Sequence, residues 1–403
     1  MTHPPRVSRA LAPLGTTIFT EMTALAARHG AVNLAQGFPD FDGPELAKDA
    51  AIGAIRAGHS QYARMAGIPL LCAAVARAWS ARAGLPVDPD SEVTVTSGCT
   101  EAIAASVLGL LDPGDGLVMF EPFYDSYRAV AAMGGAMVRA VSLRPEPPAT
   151  PPGPRGFAFD EGELRRAIRG SRMILLNTPH NPTGKVFSRE ELGLIASLCR
   201  EHDVIAVVDE VYEHLTYDPA RPHVSLATLP GMWERTLTLG SLGKSYNLTG
   251  WKIGWAIGPA SLTAGVRSAH QYLTFATATP LQHGAAAVIE HGVETIARTR
   301  DLFRANRDRL SEALASLGFG VFRSDGAYFV MADHTGVSGR LGLPPGDRAM
   351  AAWLIEHAKV AVIPPGAFYR DPGDGSALVR LAYCKRTETI DEAIRRLRAA
   401  LAG

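Results

Sequence analysis

From residue 90 onward the chain carries seven short runs, Val93–Thr96, Leu117–Phe120, Met137–Val141, Met173–Leu176, Val204–Val208, Thr236–Leu239 and Gly254–Ile257, several of them apolar almost throughout. Segments of helix length lie between most of them. A sheet with one wet face would alternate apolar and polar residues. Nearly continuous apolar runs instead signal strands buried on both sides, the signature of a mainly parallel sheet covered by helices on each face. The pattern predicts a seven-stranded α/β domain over residues 44–289. Helix starts agree with this parse, since Asp160 with Glu163 and Ser188 with Glu191 have capping-box spacing ahead of apolar-periodic segments. Arg144–Phe157 holds six prolines and is expected to be a surface excursion with no regular element.

The flanks have a different character. Ile18–Arg28 reads as a short helix packing through Ile18, Met22 and Leu25. Pro44–Ala57 reads as a second, burying Leu46, Ala50 and Ile55, and Pro69–Ala83 as a third, packing through Leu70, Val75 and Trp79. After Pro280 the sequence is strongly helical to about Leu317. Strand candidates follow at Gly320–Arg323, Tyr328–Met331, Ala361–Ile363 and Leu378–Leu381, and a last helix starts at Ile390, capped by Thr389 with Glu392. Residues 290–403, joined by 1–43, are read as a smaller α+β domain.

Charge narrows the function classes. The chain of 403 residues balances 40 Lys and Arg against 40 Asp and Glu, which gives no basic footprint for nucleic acid and no attraction to a membrane surface. Four cysteines, Cys72, Cys99, Cys199 and Cys384, lie far apart with no CxxC pair, so neither a disulfide framework nor a metal site is expected. The N-terminus lacks the continuous apolar segment of a signal peptide, no apolar stretch is long enough to cross a bilayer, and the expected location is the cytoplasm.

Chemistry-bearing residues cluster in loop-like settings at strand ends. In SLGKSYNLTGWKIGW, Lys244 stands between the hydroxyl of Ser241 and a second cation, Lys252, on a loop expected between two sheet strands. Such a lysine is either a surface charge or, with its pKa lowered by burial or a neighbouring cation, an amine able to form a Schiff base. Gly98 and Thr100 sit where a strand turns into a helix, a place for helix capping or for an anion. Asp209 and Tyr212 follow the most apolar strand, where an acid either caps the next helix or holds a protonated ring nitrogen; Glu210 reads as the helix-start or solvent residue. Asn181 lies in a loop stiffened by prolines, with Asn181–Pro182 a cis candidate. Arg380 on a strand either points to solvent or turns inward to grip a carboxylate. Tyr124 offers a flat ring for stacking or for packing. Gly37 sits in a turn-rich loop that is either a connector or a close backbone approach to a ligand.

QGFPDF, NTPHNPTGK, VVDEVYEH and SLGKSYNLTGWKIGW together resemble the class I pyridoxal-phosphate aminotransferases of fold type I, over nearly the whole chain. Within them the resemblance is to the kynurenine/glutamine transaminase and cysteine-S-conjugate β-lyase group, closest to its bacterial methionine aminotransferase-like members, whose HQYLTF segment is present after Ala269. It implies pyridoxal 5'-phosphate bound to Lys244, which also moves the Cα proton. Asp209 would meet the pyridine nitrogen, Asn181 and Tyr212 the phenolic oxygen, and Tyr124 the ring face. Ser241, Lys252 and the turn Gly98, Cys99 and Thr100 would hold the phosphate, with Tyr62 reaching across from the second subunit of a homodimer. Arg380, helped by Asn181 and the backbone near Gly37, would clamp the α-carboxylate, and Phe19, Tyr124 and Phe275 would make an apolar, aromatic substrate pocket. The chain departs from some members at Cys99, where an aromatic residue is common, and at Ala276, where some carry histidine. No second arginine is obviously placed for a distal carboxylate. The expectation is therefore ping-pong transfer from methionine, phenylalanine, tyrosine, leucine, glutamine or kynurenine to a 2-oxo acid. β-Elimination from cysteine conjugates is the alternative, and a non-enzymatic cofactor-binding regulator a remoter one.

Overall fold

The structure, a computed structural model, describes residues 7–146 and 154–401. The seven apolar runs form one sheet: β1 (Val93–Thr96), β2 (Gly116–Glu121), β3 (Met137–Ser142), β4 (Met173–Asn177), β5 (Ile205–Asp209), β6 (Thr236–Ser241) and β7 (Gly254–Ile257). Their spatial order is β1-β7-β6-β5-β4-β2-β3. β7 runs antiparallel to both neighbours, and every other pairing is parallel. All residues of β1, β2, β4, β5 and β7 are buried, as the unbroken apolar runs require.

Strand periodicity divides these residues between two cores. On one face Val118, Phe120, Ile174, Leu176 and Val208 pack with Leu192, Ile195 and Cys199 of the helix Arg189–Glu201. On the other Leu117, Met119, Leu175, Val207 and Leu239 pack with Ile103 and Val107 of the helix Gly98–Leu110. Because the strands are parallel, their carboxyl ends emerge on one edge. In register, Asn177 lies beside Asp209, and Gly254 at the start of β7 lies beside both Ser241 and Thr96. That edge is where ligands bind in open α/β sheets.

A second, antiparallel sheet comprises β8 (Gly320–Val321), β9 (Phe329–Asp333) and β10 (Leu378–Ala382). The N-terminal segment joins this part of the molecule. Val32–Asn33 pairs in parallel with Val360–Ala361, and Ile18, Met22, Ala26 and Leu34 share a core with Phe303, Ile355, Leu381 and Ile390.

Several details differ from the sequence reading. The helix Glu45–Arg56 buries Ala47, Ala51 and Ala54, leaving Leu46, Ile52 and Ile55 exposed. Its alanine face meets the helix Thr279–His291 so closely that a Cβ on Gly284 would stand 2.5 Å from the Ala47 carbonyl oxygen. Only small residues fit there, so the large ones turn outward. Leu70 is also exposed, whereas Val75 and Trp79 are buried as expected. The long helical run is divided at Gly292 into Thr279–His291 and Val293–Ser316. The final helix spans Thr387–Leu401, and the Thr389 hydroxyl donates to Asp40 at 2.6 Å instead of capping it. Ser188 and Glu191 form the full capping box. The Glu163 carboxylate accepts from Ser142 N–H and Arg144 instead, so only the Asp160 half of that box exists. The proline-rich excursion is not wholly irregular, since Arg144–Glu146 pairs antiparallel with Gly156–Ala158; its remainder, 147–153, lies outside the described residues.

Gly254 fixes how tightly the sheet edge closes. A Cβ there would sit 2.6 Å from the Gly98 carbonyl carbon and 2.7 Å from the Cys99 nitrogen, both backbone. Gly254→Ala should lower the free energy of unfolding by about 1–3 kcal/mol, the usual cost of overpacking. Denaturant titration checks this, and an unchanged midpoint would show that the turn yields freely.

Candidate active site

A cavity of about 280 Å³ opens at the carboxyl edge of the large sheet, roofed by the small one. Of the residues expected at the site, all but two line it: Phe19, Gly37, Gly98, Cys99, Thr100, Tyr124, Asn181, Asp209, Tyr212, Ser241, Lys244, Lys252 and Arg380. Tyr62 and Phe275 do not. They pack edge to face at 5.5 Å on an exposed surface, outside the cavity of this protomer.

Lys244 is not on an open loop. It sits in a one-turn helix, Leu242–Ser245, that follows β6 directly, and its Nζ lies 5.9 Å from the Tyr212 ring centre and 5.6 Å from that of Tyr328. Burial pushes its amine below the ordinary lysine value, against partial opposition from Cys384 and Asp209. A larger fraction of neutral, nucleophilic amine is the result.

Asp209 ends β5 and is 5% exposed. It does not cap a helix. Its Oδ2 accepts from the Tyr127 hydroxyl at 2.6 Å, and its Oδ1 accepts from the Val211 N–H at 3.2 Å and the Cys99 thiol at 3.5 Å. Burial leaves the carboxyl above the ordinary carboxylate value, against the pull of these three donors and of Lys244. An acid so placed can hold a cationic ring nitrogen.

Arg380, on β10, is 1% exposed, which settles its orientation as inward. Nη1 donates to Asn181 Oδ1 at 3.0 Å and Nη2 to the Ala35 carbonyl at 2.9 Å, while the guanidinium lies 4.2 Å from the Phe329 ring centre and 5.3 Å from those of Phe19 and Phe368. Its Nε has no partner, and no carboxylate pairs with it among the described residues. Burial pushes the group down to about 10, still charged at neutral pH. A buried cation with unspent donors is a receptor for a carboxylate.

At the opposite end, Gly98 opens the helix Gly98–Leu110 with φ +72°, and a Cβ there would lie 3.3 Å from Lys252 Nζ. Free N–H groups, the helix dipole and this ammonium, with Ser241 beside them in the lining, make a cradle for a phosphate-sized anion. Tyr124 precedes the helix Asp125–Gly134, where burial pushes its phenol up to about 12. Asn181–Pro182 is cis as expected, and Glu121–Pro122 and Thr178–Pro179 are cis as well. The residues present therefore suit a cofactor with a phosphate, an aldehyde and a basic ring nitrogen.

Sequence reasoning missed three contributors. Tyr127 was signalled by FYDSY, which puts it one helical turn after Tyr124. Phe329 flanks Arg380, and Tyr328 Oη donates to the Gly37 carbonyl and ties down that loop; no local pattern announced either. Glu210 is neither exposed nor at a helix start. It is fully buried with its Oε2 2.9 Å from His223 Nε2, while neighbouring Glu213 meets Arg82 and, at 3.3 Å, His214.

Comparison with known proteins matches residues 30–397 to the family described as aminotransferase class I and II. The chain is 47% identical over 401 residues to the probable N-succinyldiaminopimelate aminotransferase DapC of Mycobacterium tuberculosis, covering 97% of both chains. It superposes on the structure of that organism's N-succinyldiaminopimelate aminotransferase with a TM-score of 0.91 at 45% identity, covering 98% of this chain and 100% of the other. Similarity to the methionine aminotransferase of Escherichia coli is lower, at 36% identity over 99% of this chain and 100% of the relative. These figures correct the sequence reading: the chain is nearer to the succinyldiaminopimelate enzyme than to the methionine or kynurenine group, and the expected preference for apolar, aromatic or sulfur-containing donors falls with that placement. HQYLTF covers the end of the helix Ala260–Leu273 and the turn after it, where Tyr272, Leu273 and Phe275 are exposed and line no part of this protomer's cavity, so it is no guide to the side-chain pocket the protomer itself forms. The chain belongs to the class I and II aminotransferases and is a fold type I transaminase dependent on pyridoxal 5'-phosphate.

Proposed function

We propose that this enzyme transfers an amino group to or from a long, multiply carboxylated amino acid of the N-succinyldiaminopimelate kind, with a 2-oxo acid as the other partner in a ping-pong cycle. The observation that carries this reading is the full-length similarity to the mycobacterial enzyme at 47% identity. Arg380 supports it from the structure, as a buried guanidinium waiting for a carboxylate. Lys244, Lys252 and Arg380 are the cations of the lining, so no fourth meets a distal acid inside the cavity. The cavity opens outward, so the distal carboxylates of so long a donor would lie toward its mouth, in water or at a subunit boundary. A lining with Arg380 as its one arginine among the described residues is thus compatible with an acidic donor.

Pyridoxal phosphate supplies the electron sink for the charge left on Cα when its C–H bond breaks. The protein's share is placement. Ser241, Lys252 and the N–H groups of Gly98, Cys99 and Thr100 would hold the phosphate, Asn181 and Tyr212 the phenolic oxygen, Tyr124 the ring face and Asp209 the ring nitrogen. Arg380, oriented by Asn181 and the backbone around Gly37, would hold the α-carboxylate so that the Cα–H faces Lys244 Nζ, which takes and returns the proton. Phe19 would cover the donor's apolar stem.

We further propose a cytoplasmic homodimer, with residues 44–289 as the large unit and 1–43 with 290–403 as the small one. Exposed Ile52, Ile55, Leu70, Tyr62, Phe275 and Val293 support a subunit surface, through which Tyr62 and Phe275 would serve the neighbouring cavity. No described helix is long and apolar enough to cross a membrane.

Steady-state assays with 2-oxoglutarate test the substrate. N-succinyl-LL-diaminopimelate should exceed methionine and phenylalanine in kcat/KM by at least about tenfold, a difference of about 1.4 kcal/mol; a faster methionine reaction would overturn the proposal. Arg380→Lys keeps the charge and loses the planar fork, so KM for the amino donor should rise about 10- to 100-fold with a smaller change in kcat. An unchanged KM would remove Arg380 from the carboxylate site.

A further inference from the structure

We propose that Tyr127 is a positioning residue that orients the Asp209 carboxylate and keeps it an anion opposite the cofactor's ring nitrogen. The inference rests on the reading of Asp209 just given. Its basis is the unequal quality of the three donors to that carboxylate. The Cys99 thiol is a weak donor at 3.5 Å, and the Val211 N–H, at 3.2 Å, is a backbone group two residues along. The Tyr127 hydroxyl, at 2.6 Å, is the short bond, and it alone holds Oδ2. Hydrogen bonds to an ionised acceptor are the strong ones, and they favour the charged form of the acid.

Tyr127 is fixed well enough to do this. It is 3% exposed on the helix Asp125–Gly134, packs edge to face against Tyr124 with ring centres 5.7 Å apart, and shares a core with Met119 and Val207. Burial, reinforced by the Asp209 charge, pushes its phenol well above the ordinary value, so it remains a donor throughout the working range. The same helical turn thus presents one tyrosine to the ring face and another to the acid beneath it.

Lys244, Cys99, Tyr124 and Tyr212 also face Asp209 from other elements; Lys244 is the cation among them, and Cys99 alone of the four bonds to the carboxylate. None replaces a hydroxyl on Oδ2. Without it, burial dominates and the carboxyl gains proton affinity. The cofactor's ring nitrogen would then carry less positive charge and the ring would withdraw fewer electrons, which would raise the basicity of the Lys244 nitrogen and slow Cα–H cleavage.

The test is a spectrophotometric pH titration of the holoenzyme's visible absorption band, with Tyr127→Phe compared with the parent. The midpoint should rise by about one pH unit, the scale of one hydrogen bond to a charged group, and kcat should fall while KM for the amino donor changes little. In an Asp209→Asn background, where no carboxylate remains, adding Tyr127→Phe should leave the midpoint where it was. Cys99→Ser, which exchanges a weak donor for a stronger one, should move the midpoint of the parent downward and keeps the idea testable if Tyr127→Phe is recovered poorly. A Tyr127→Phe holoenzyme that melts lower yet titrates like the parent would reduce Tyr127 to packing and overturn the inference while leaving the cofactor reading intact. A parent protein that develops no visible band with pyridoxal phosphate would overturn both.

Discussion

A carboxylate at the end of a strand whose other residues are all apolar has to be compensated, and much of this molecule is arranged around that need. Asp209 follows Ile205, Ala206, Val207 and Val208, which commit β5 to the middle of a sheet covered on both faces. Leaving an acid there unpaired would cost several kcal/mol. Tyr127, Cys99 and the Val211 N–H answer it from one side, and Lys244 stands near it on the next strand end. The same parallel topology that buries the strand brings Asn177 and Ser241 to the same edge, so the site is a consequence of the sheet more than an addition to it.

Two positive ends organise the cavity. At one end a helix N-terminus and Lys252 offer a place for a phosphate, made tight by the contact of Gly254 with the Gly98–Cys99 backbone. At the other, Arg380 lies between aromatic rings with its fork partly unspent. In the proposed roles, a ligand anchored at both ends would have its reacting carbon near Lys244, which is how positioning lowers a barrier. The N-terminal segment takes part because Arg380 reaches the Ala35 carbonyl and Tyr328 the Gly37 carbonyl.

The fold was legible because continuous apolar runs admit few arrangements, and all seven strands were found within a residue or two of their ends. Polar residues beyond those ends are legible for a related reason: Asp209 terminates an otherwise apolar strand, and Asn181 and Lys244 lie in the polar segments that directly follow two others. Helix faces were read less well. Leu46 and Ile55 are apolar enough to suggest the buried face, but the close approach of Gly284 reserves that face for alanine. Contributors supplied through tertiary packing, such as Tyr328 and Phe329, carry no local signal. Substrate preference is the part least legible in the sequence, because HQYLTF lies outside the protomer's own cavity.

Lys244 and Lys252 line one cavity, and the proposed roles put the cofactor's aldehyde on Lys244 and its phosphate on Lys252. Borohydride reduction of the holoenzyme followed by peptide mass mapping separates them, since reduction fixes the cofactor to the lysine that holds it. The added mass should fall on Lys244, with Lys252 unmodified. Stoichiometric label on Lys252, or on a lysine outside the cavity, would contradict it.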